Sequence, residues 1–374
     1  MRRALLNTML LTSILLPIPT PFYPDGEVYY QKLEHNAERY SRSPASGIAV
    51  LSSTGGPWLL SGEERRNVLR VAIASAAPEK VMIAGTGLES AVETLRLTEY
   101  AAALNYDAAC VSVPHLYRRL MGPANTLAFY RFVADRSPLP VLIGNAPSMT
   151  GCDIPVELVR ELAQHANIIG IAEENGGAEK LRAITEASRS VKRTVTVTER
   201  FEPVTGRMLA AASNSAAPDL LPAEALASVP TDTVASAGSL AAPKPSSSAV
   251  RSIGKLRTRQ KAVGFQALAG AAQHLLASLQ AGAAGAMAAF AAAAPTACFE
   301  VYAAFKGGDL RLAAEKQERI TRAAARIVDE LGIPALKYAM DLNGYYGGNS
   351  RLPWLPLDAA TKAEIEQLMI NIRS

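Results

Sequence analysis

Short, almost continuously apolar runs alternate with longer amphipathic stretches over most of this chain. That alternation constrains the fold more than any other feature. GIAVLSS (47–53), VMIAGTG (81–87), AACVSVP (108–114), PVLIGNAP (140–147) and NIIGIAEE (167–174) are the clearest runs. Helical periodicity follows each, over 62–77, 91–105, 125–134, 155–165 and 179–188. A strand with one wet face alternates apolar and polar residues. These runs do not alternate, which is the pattern of parallel strands covered on both sides. Strand-then-helix units in series mean an α/β fold. A run near LLPIPTPF (15–22) precedes them, and VGFQALAG (263–270) and GAMAAFAAAAP (285–295) come later, which makes eight. Eight units predict a closed (β/α)₈ TIM barrel rather than an open doubly wound sheet. Strands one to six fall in 1–189, and strands seven and eight with extra C-terminal helices fall in 263–374.

Between them, at 190–262, the rhythm breaks. RTVTVTERF leads into a long Ala/Ser/Pro tract poor in aromatic and large aliphatic residues. Such a tract buries too little surface to offset its ordering entropy, so this low-complexity insertion before the seventh strand is expected to be largely disordered or weakly ordered, above all over 205–255. It joins a helix to the next strand. In a barrel that connection lies on the face opposite the active site, which argues against a lid.

Charge and cysteine content narrow the function classes. The net charge is +4 with 19% charged residues, so no concentrated basic face points to nucleic acid. The densest basic stretch (Arg251, Lys255, Arg257, Arg259, Lys261) reads as a solvated linker. Cys110, Cys152 and Cys298 are widely spaced without a CxxC pair, which argues against a disulfide framework or a zinc site. The start, MRRALLNTMLLTSILLPIPTPF, imitates a secretory signal. It lacks a small-x-small cleavage site before Pro17 and flows into the first strand. The run Ala281 to Ala294 is too short and too small in side chain to span a membrane. The expectation is a cytoplasmic protein with no membrane and no nucleic-acid partner.

Eight motifs in order carry a resemblance. They are PTPFYPDG (19–26), SSTGG with LSGEER (52–56, 60–65), AGTGLES (84–90), VSVPHLYR (111–118), NAPSMTG (145–151), NIIGI (167–171), FQALAG (265–270) and IPALKYAMDLNGYYGG (333–348). Together they resemble the dihydrodipicolinate synthase and N-acetylneuraminate lyase superfamily, and within it most nearly 4-hydroxy-2-oxoglutarate aldolase. The resemblance implies Schiff-base chemistry, in which one lysine forms an imine with a 2-oxo acid and the iminium takes up the electrons of a breaking or forming carbon–carbon bond. It also implies a homo-oligomer, dimer or tetramer, and no cofactor.

The chain departs from that pattern at four places. Where the family has IIGIK, this chain has Ile168-Ile169-Gly170-Ile171-Ala172, and alanine forms no imine. Where the family has YN-x-P, Gly144-Asn145-Ala146-Pro147 supplies no phenol to relay a proton. Met149 stands where many relatives place a basic residue, and Gly56 replaces an acid. The Ser53–Thr54 pair survives, and in the family such a pair holds the oxo-acid carboxylate. The plainer reading is a structural turn whose hydroxyls cap the next helix.

Tyr117, His115 and Glu174 are candidates for a replacement acid–base group, because each follows a strand's C-terminal end. The plainer readings are an exposed loop tyrosine, a satisfied loop histidine and surface charge. Glu173 should face the helices if Ala172 faces the interior. Lys337 reads as a structural lysine of a helix motif, His274 as packing, and no metal site is expected. Two functions follow. One is a family barrel that binds a small carboxylate ligand such as a 2-oxo or sugar acid without aldolase chemistry. The other is an active lyase on such an acid by a non-Schiff-base mechanism.

Overall fold

In the computed structural model, residues 9–174, 177–214, 251–253 and 256–372 are described. The first six strands are β1 (Ser13–Ile18), β2 (Gly47–Val50), β3 (Val81–Gly85), β4 (Ala108–Ser112), β5 (Val141–Asn145) and β6 (Ile168–Glu173). Next come β7 (Arg193–Thr198), β8 (Arg251–Ile253) and β9 (Leu256–Val263), then β10 (Gln266–Ala269) and β11 (Gly285–Ala286). Eight of these pair in parallel and close on themselves in the order β1-β11-β10-β6-β5-β4-β3-β2. The expected (β/α)₈ barrel is the observed fold.

Period-two geometry sorts each strand's side chains. Leu15, Ala49, Ile83, Cys110, Leu142 and Leu268 share one fully packed interior cluster. Their neighbours Leu16, Val50, Met82, Ile143 and Ile171 pack outward among the helices. Both faces are dry, which is why the strands read as continuous apolar runs. The C-terminal helices, among them Pro295–Lys306, Leu310–Ala324 and Ile333–Leu342, pack behind β1 and over the mouth.

The foot of the barrel is closed by the start of the chain and by the insertion. Leu11 N–H donates to Gln266 Oε1 at 2.7 Å, and Gln266 Nε2 donates to Met9 O at 2.8 Å. Leu10 is buried against Val195 and Val197 of β7.

The flanks of the insertion are ordered: among the described residues of 190–262, β7, β9 and β8 form an antiparallel sheet and a helix spans Gly206–Asn214, while most of the stretch expected to be disordered lies outside the described residues. The sheet and helix dock on the foot. Asp107 accepts from Met82 N at 2.9 Å and from Gly206 N at 3.0 Å. Arg207 donates to Ala76 O at 2.8 Å and Lys80 O at 2.5 Å. Valines alternating with threonines in RTVTVT give β7 one apolar face to bury, and the neighbouring Ala/Ser/Pro tract masked that signal. Most of that tract, 215–250, with Lys255, lies outside the described residues. The seventh barrel strand starts at Gln266 rather than at 263, because Val263 ends β9.

Candidate functional site at the barrel mouth

At the end of β2 the backbone turns sharply. Leu51 sits at φ 60°, a conformation that costs a non-glycine residue about 1–2 kcal/mol. The turn is possible because β3 ends in Gly85, where a Cβ would lie 1.8 Å from Leu51 O. Ser53 and Thr54 follow in one short helical turn, both buried. Thr20 Oγ1 donates to Gly55 O at 2.7 Å and pins the loop. Neither Ser53 nor Thr54 caps the next helix. Ser61 does, in a reciprocal capping box with Glu64, so capping is not what the pair is for.

Opposite this loop, β6 leads through three consecutive residues with different fates. Ala172 faces the interior, fully buried in the packed cluster, paired with Gly144 on one side and Leu268 on the other. Glu173 faces out, as expected. Asn145 Nδ2 donates to its Oε2 at 2.7 Å and Lys180 Nζ pairs with it at 3.0 Å. Lys180 also pairs with Asp153. Glu174 lies just past the strand, its N–H donating to Asn145 O at 2.9 Å. Gly270 permits this close approach, since a Cβ there would be 2.3 Å from Glu174 Cα.

The Glu174 side chain crosses the mouth. Ser53 Oγ donates to its Oε1 at 2.5 Å, linking β6 to the loop of β2, four strands away around the ring. Burial pushes the Glu174 carboxyl up to about 7; Glu173 adds to the shift and the Ser53 hydrogen bond opposes it. It is therefore poised between acid and carboxylate at neutral pH.

At Gly144 the space is partly taken. A Cβ there would lie 3.2 Å from Cys110 Sγ and 3.3 Å from Ser112 Oγ. Burial raises the Cys110 thiol to about 12, so it stays neutral.

A cavity of about 370 Å³ opens on the hydroxyl loop, lined by Ser53, Thr54, Trp58, Met149, Lys337 and Trp354 among others. Lys337 is buried, its Nζ donating to Asn349 O at 2.5 Å and lying 4.7 Å from the Phe22 ring centroid. Burial lowers its amine to about 7, with Asp341 opposing the shift. Arg351 is spent on Glu64, with a bidentate contact of 2.6 and 3.0 Å.

The other candidates are placed differently. His115 Nδ1 lies 2.9 Å from Glu89 Oε1, and Glu89 also accepts the N–H groups of His115 and Leu116. Its ring meets Trp58 edge-on at 5.4 Å, at the rim of the site. Tyr117 lies in a turn, 69% exposed, and is not among the residues that line the cavity. His274 is exposed rather than packed. No pattern in the sequence signals the Ser53–Glu174 contact, nor that Lys337 lines the same cavity. Among the described residues no cluster of three or more His, Cys, Asp or Glu is arranged to hold a metal ion. No helix among them is long and apolar enough to cross a membrane.

The profile of the Dihydrodipicolinate synthetase family matches residues 10–209 and 231–372. The chain belongs to this family. Among curated relatives, 4-hydroxy-tetrahydrodipicolinate synthase of Xanthomonas campestris pv. campestris is 36% identical over 176 residues, 47% of this chain and 58% of the relative. That of Methanosarcina mazei is 34% identical over 168 residues, 45% of this chain and 56% of the relative. The matched part thus spans a little over half the length of these relatives. Solved structures agree on the fold. A dihydrodipicolinate synthase from Bacillus anthracis superposes with TM-score 0.72 at 19% identity, covering 97% of this chain and 99% of the other. A prophage protein of the family from E. coli K12, solved with pyruvate, gives TM-score 0.71 at 23% identity, with 97% and 99% covered.

Proposed function

We propose that this chain is a member of the dihydrodipicolinate synthetase family that has left Schiff-base chemistry and binds a small 2-oxo or sugar acid at the Ser53–Thr54 loop. The observation that carries the proposal is Ala172, fully buried at the inward position of β6 where the motif pattern expects the imine-forming lysine. A methyl group offers no lone pair to a ketone. The neighbouring inward position is Gly144, so no phenol stands ready to move protons. The loop that the resemblance assigns to the carboxylate keeps both hydroxyls at the cavity wall. The pyruvate bound by the E. coli K12 prophage protein supports this ligand class. Assembly as a dimer or tetramer is part of the proposal, and light scattering on the full chain reads it.

A second reading has its own support. Glu174, raised to about 7 and hydrogen-bonded to a cavity-wall serine, has the properties of a general acid–base group. A lyase without an imine would use it.

A thermal-shift panel of 2-oxo acids and sugar acids at pH 6 and pH 8, with turnover assayed on every hit, tests both readings. An acid at a hundredfold excess over its Kd stabilises by about 2.7 kcal/mol, an easily seen shift. Stabilisation without turnover supports the first reading. Turnover that Glu174→Gln reduces by roughly 10²-fold or more supports the second. If no acid stabilises the protein at either pH, the ligand class is wrong.

A further inference from the structure

The Ser53 hydroxyl, assigned to a ligand's carboxylate, already donates to a carboxyl of the protein's own, 2.5 Å away. Glu174 is not itself among the cavity's lining residues, but an acid that accepts from the same Ser53 hydroxyl is drawn up to it. Two carboxylates so placed do not both stay ionised; they share a proton. The groups that face Glu174 from each packed element, among the described residues, are few and bring no free positive charge. Before it, Glu173 of β6 is paired with Lys180 and hydrogen-bonded by Asn145. From β4 comes the neutral Cys110 thiol, from β5 the Asn145 carbonyl, and from beyond β10 the glycine backbone at 270. From the loop after β2 comes Ser53 itself. The two cations of the adjoining cavity wall are turned to other partners, Lys337 to Asn349 O and Arg351 to Glu64.

We propose that Glu174 is the residue that recognises the ligand's carboxylate, and that it does so in its acid form, sharing one proton with the bound anion while Ser53 turns its hydroxyl from Glu174 to the ligand. The inference rests on the carboxylate reading above and deepens it, because it names what replaces a cation in holding the acid. In balance, the ligand anion and one proton from solvent join the site, and no covalent bond changes. A carboxyl that burial holds about half in its acid form near pH 7 is ready to donate in this way without first being desolvated.

Isothermal titration calorimetry of the full chain with pyruvate and with 2-oxoglutarate tests this. Each titration is run at pH 6, 7 and 8 in two buffers of different ionisation enthalpy. The expected result is uptake of close to one proton per acid bound at pH 8, falling toward zero at pH 6. Kd should weaken by about tenfold between pH 6 and pH 8. Glu174→Gln keeps a donor at the same place without titrating. It should remove both the proton uptake and the pH dependence, and bind at pH 8 about tenfold tighter than the native chain. Equal affinity at pH 6 and pH 8 with no proton uptake overturns this inference and leaves the carboxylate reading standing. Absence of binding by native chain and variant at every pH overturns the carboxylate reading, and this inference with it. Proton uptake is measured on the native chain, so the test does not depend on the variant folding.

Discussion

The foot and the mouth of the barrel both bury carboxyl groups, and they treat them differently. At the foot Asp107 receives two backbone N–H groups and lies near Arg207, and its loop partners belong to the docked insertion. Burial still raises it to about 6, but every contact it makes ties one piece of chain to another. At the mouth Glu174 has one short side-chain partner, Ser53, and Ser52, the residue before Ser53, has its Oγ buried with no hydrogen-bond partner. Buried polar groups are mostly paired, and the foot too keeps some unpartnered atoms, Arg207 Nε and Arg193 Nη1 among them. Polar groups left short of partners next to a cavity are available to something that enters it. The same contrast divides two adjacent residues: Glu173 is satisfied by Asn145 and Lys180, and Glu174 is not satisfied in the same way.

The largest effect should therefore come from the foot. Asp107→Ala leaves two buried N–H groups without acceptors, at about 1–3 kcal/mol each, so urea denaturation should show a loss of about 3 kcal/mol with ligand-induced stabilisation unchanged. A loss below about 1 kcal/mol would break the comparison. Glu173→Gln should cost about 2 kcal/mol, because it strips a buried partner from Lys180, which keeps Asp153. It too should leave ligand binding intact.

Glu174→Gln should do the opposite. The native carboxyl rises from an ordinary 4.5 to about 7 on folding, so its acid form is favoured in the folded state. Its contribution is fully present below pH 4.5 and is lost as pH rises through about 7. The glutamine variant has no such loss. It should match the native protein at pH 4 and exceed it at pH 8 by up to about 3 kcal/mol in denaturant titrations. A variant less stable than native at pH 8 would place Glu174 among the structural groups. The smallest change is Ser52→Ala, which removes a hydroxyl that has no partner and should shift stability by less than about 0.5 kcal/mol.

How much of this was legible in the sequence follows the same division. The barrel was legible because apolar runs that never alternate, each followed by a helix, suit parallel strands dry on both faces and little else. The strands β3, β4 and β5 begin within a residue of the predicted runs. Ala172 and Gly144 were legible because motif spacing fixes which residue faces inward. The foot sheet was not. Its β9 strand, LRTRQKAV, carries its charges on a strand beside an Ala/Ser/Pro tract, and it reads as a solvated linker until β7 is seen alongside it. The Ser53–Glu174 contact joins residues 121 apart across the mouth, and only closure of the ring brings them together. Tyr117 shows the converse error: a position just after a strand reaches the mouth only if the loop turns inward, and this one ends in an exposed turn.

The central claim is the proposal that this chain forms no imine with a 2-oxo acid. Incubation of the native chain and of Ala172→Lys with pyruvate and borohydride, followed by intact mass, tests it most directly. The predicted result is no adduct on the native chain and a single reduced adduct on Ala172→Lys, located at residue 172. A stoichiometric adduct on the native chain, at Lys337 or any other lysine, would contradict the claim and return the protein to imine chemistry.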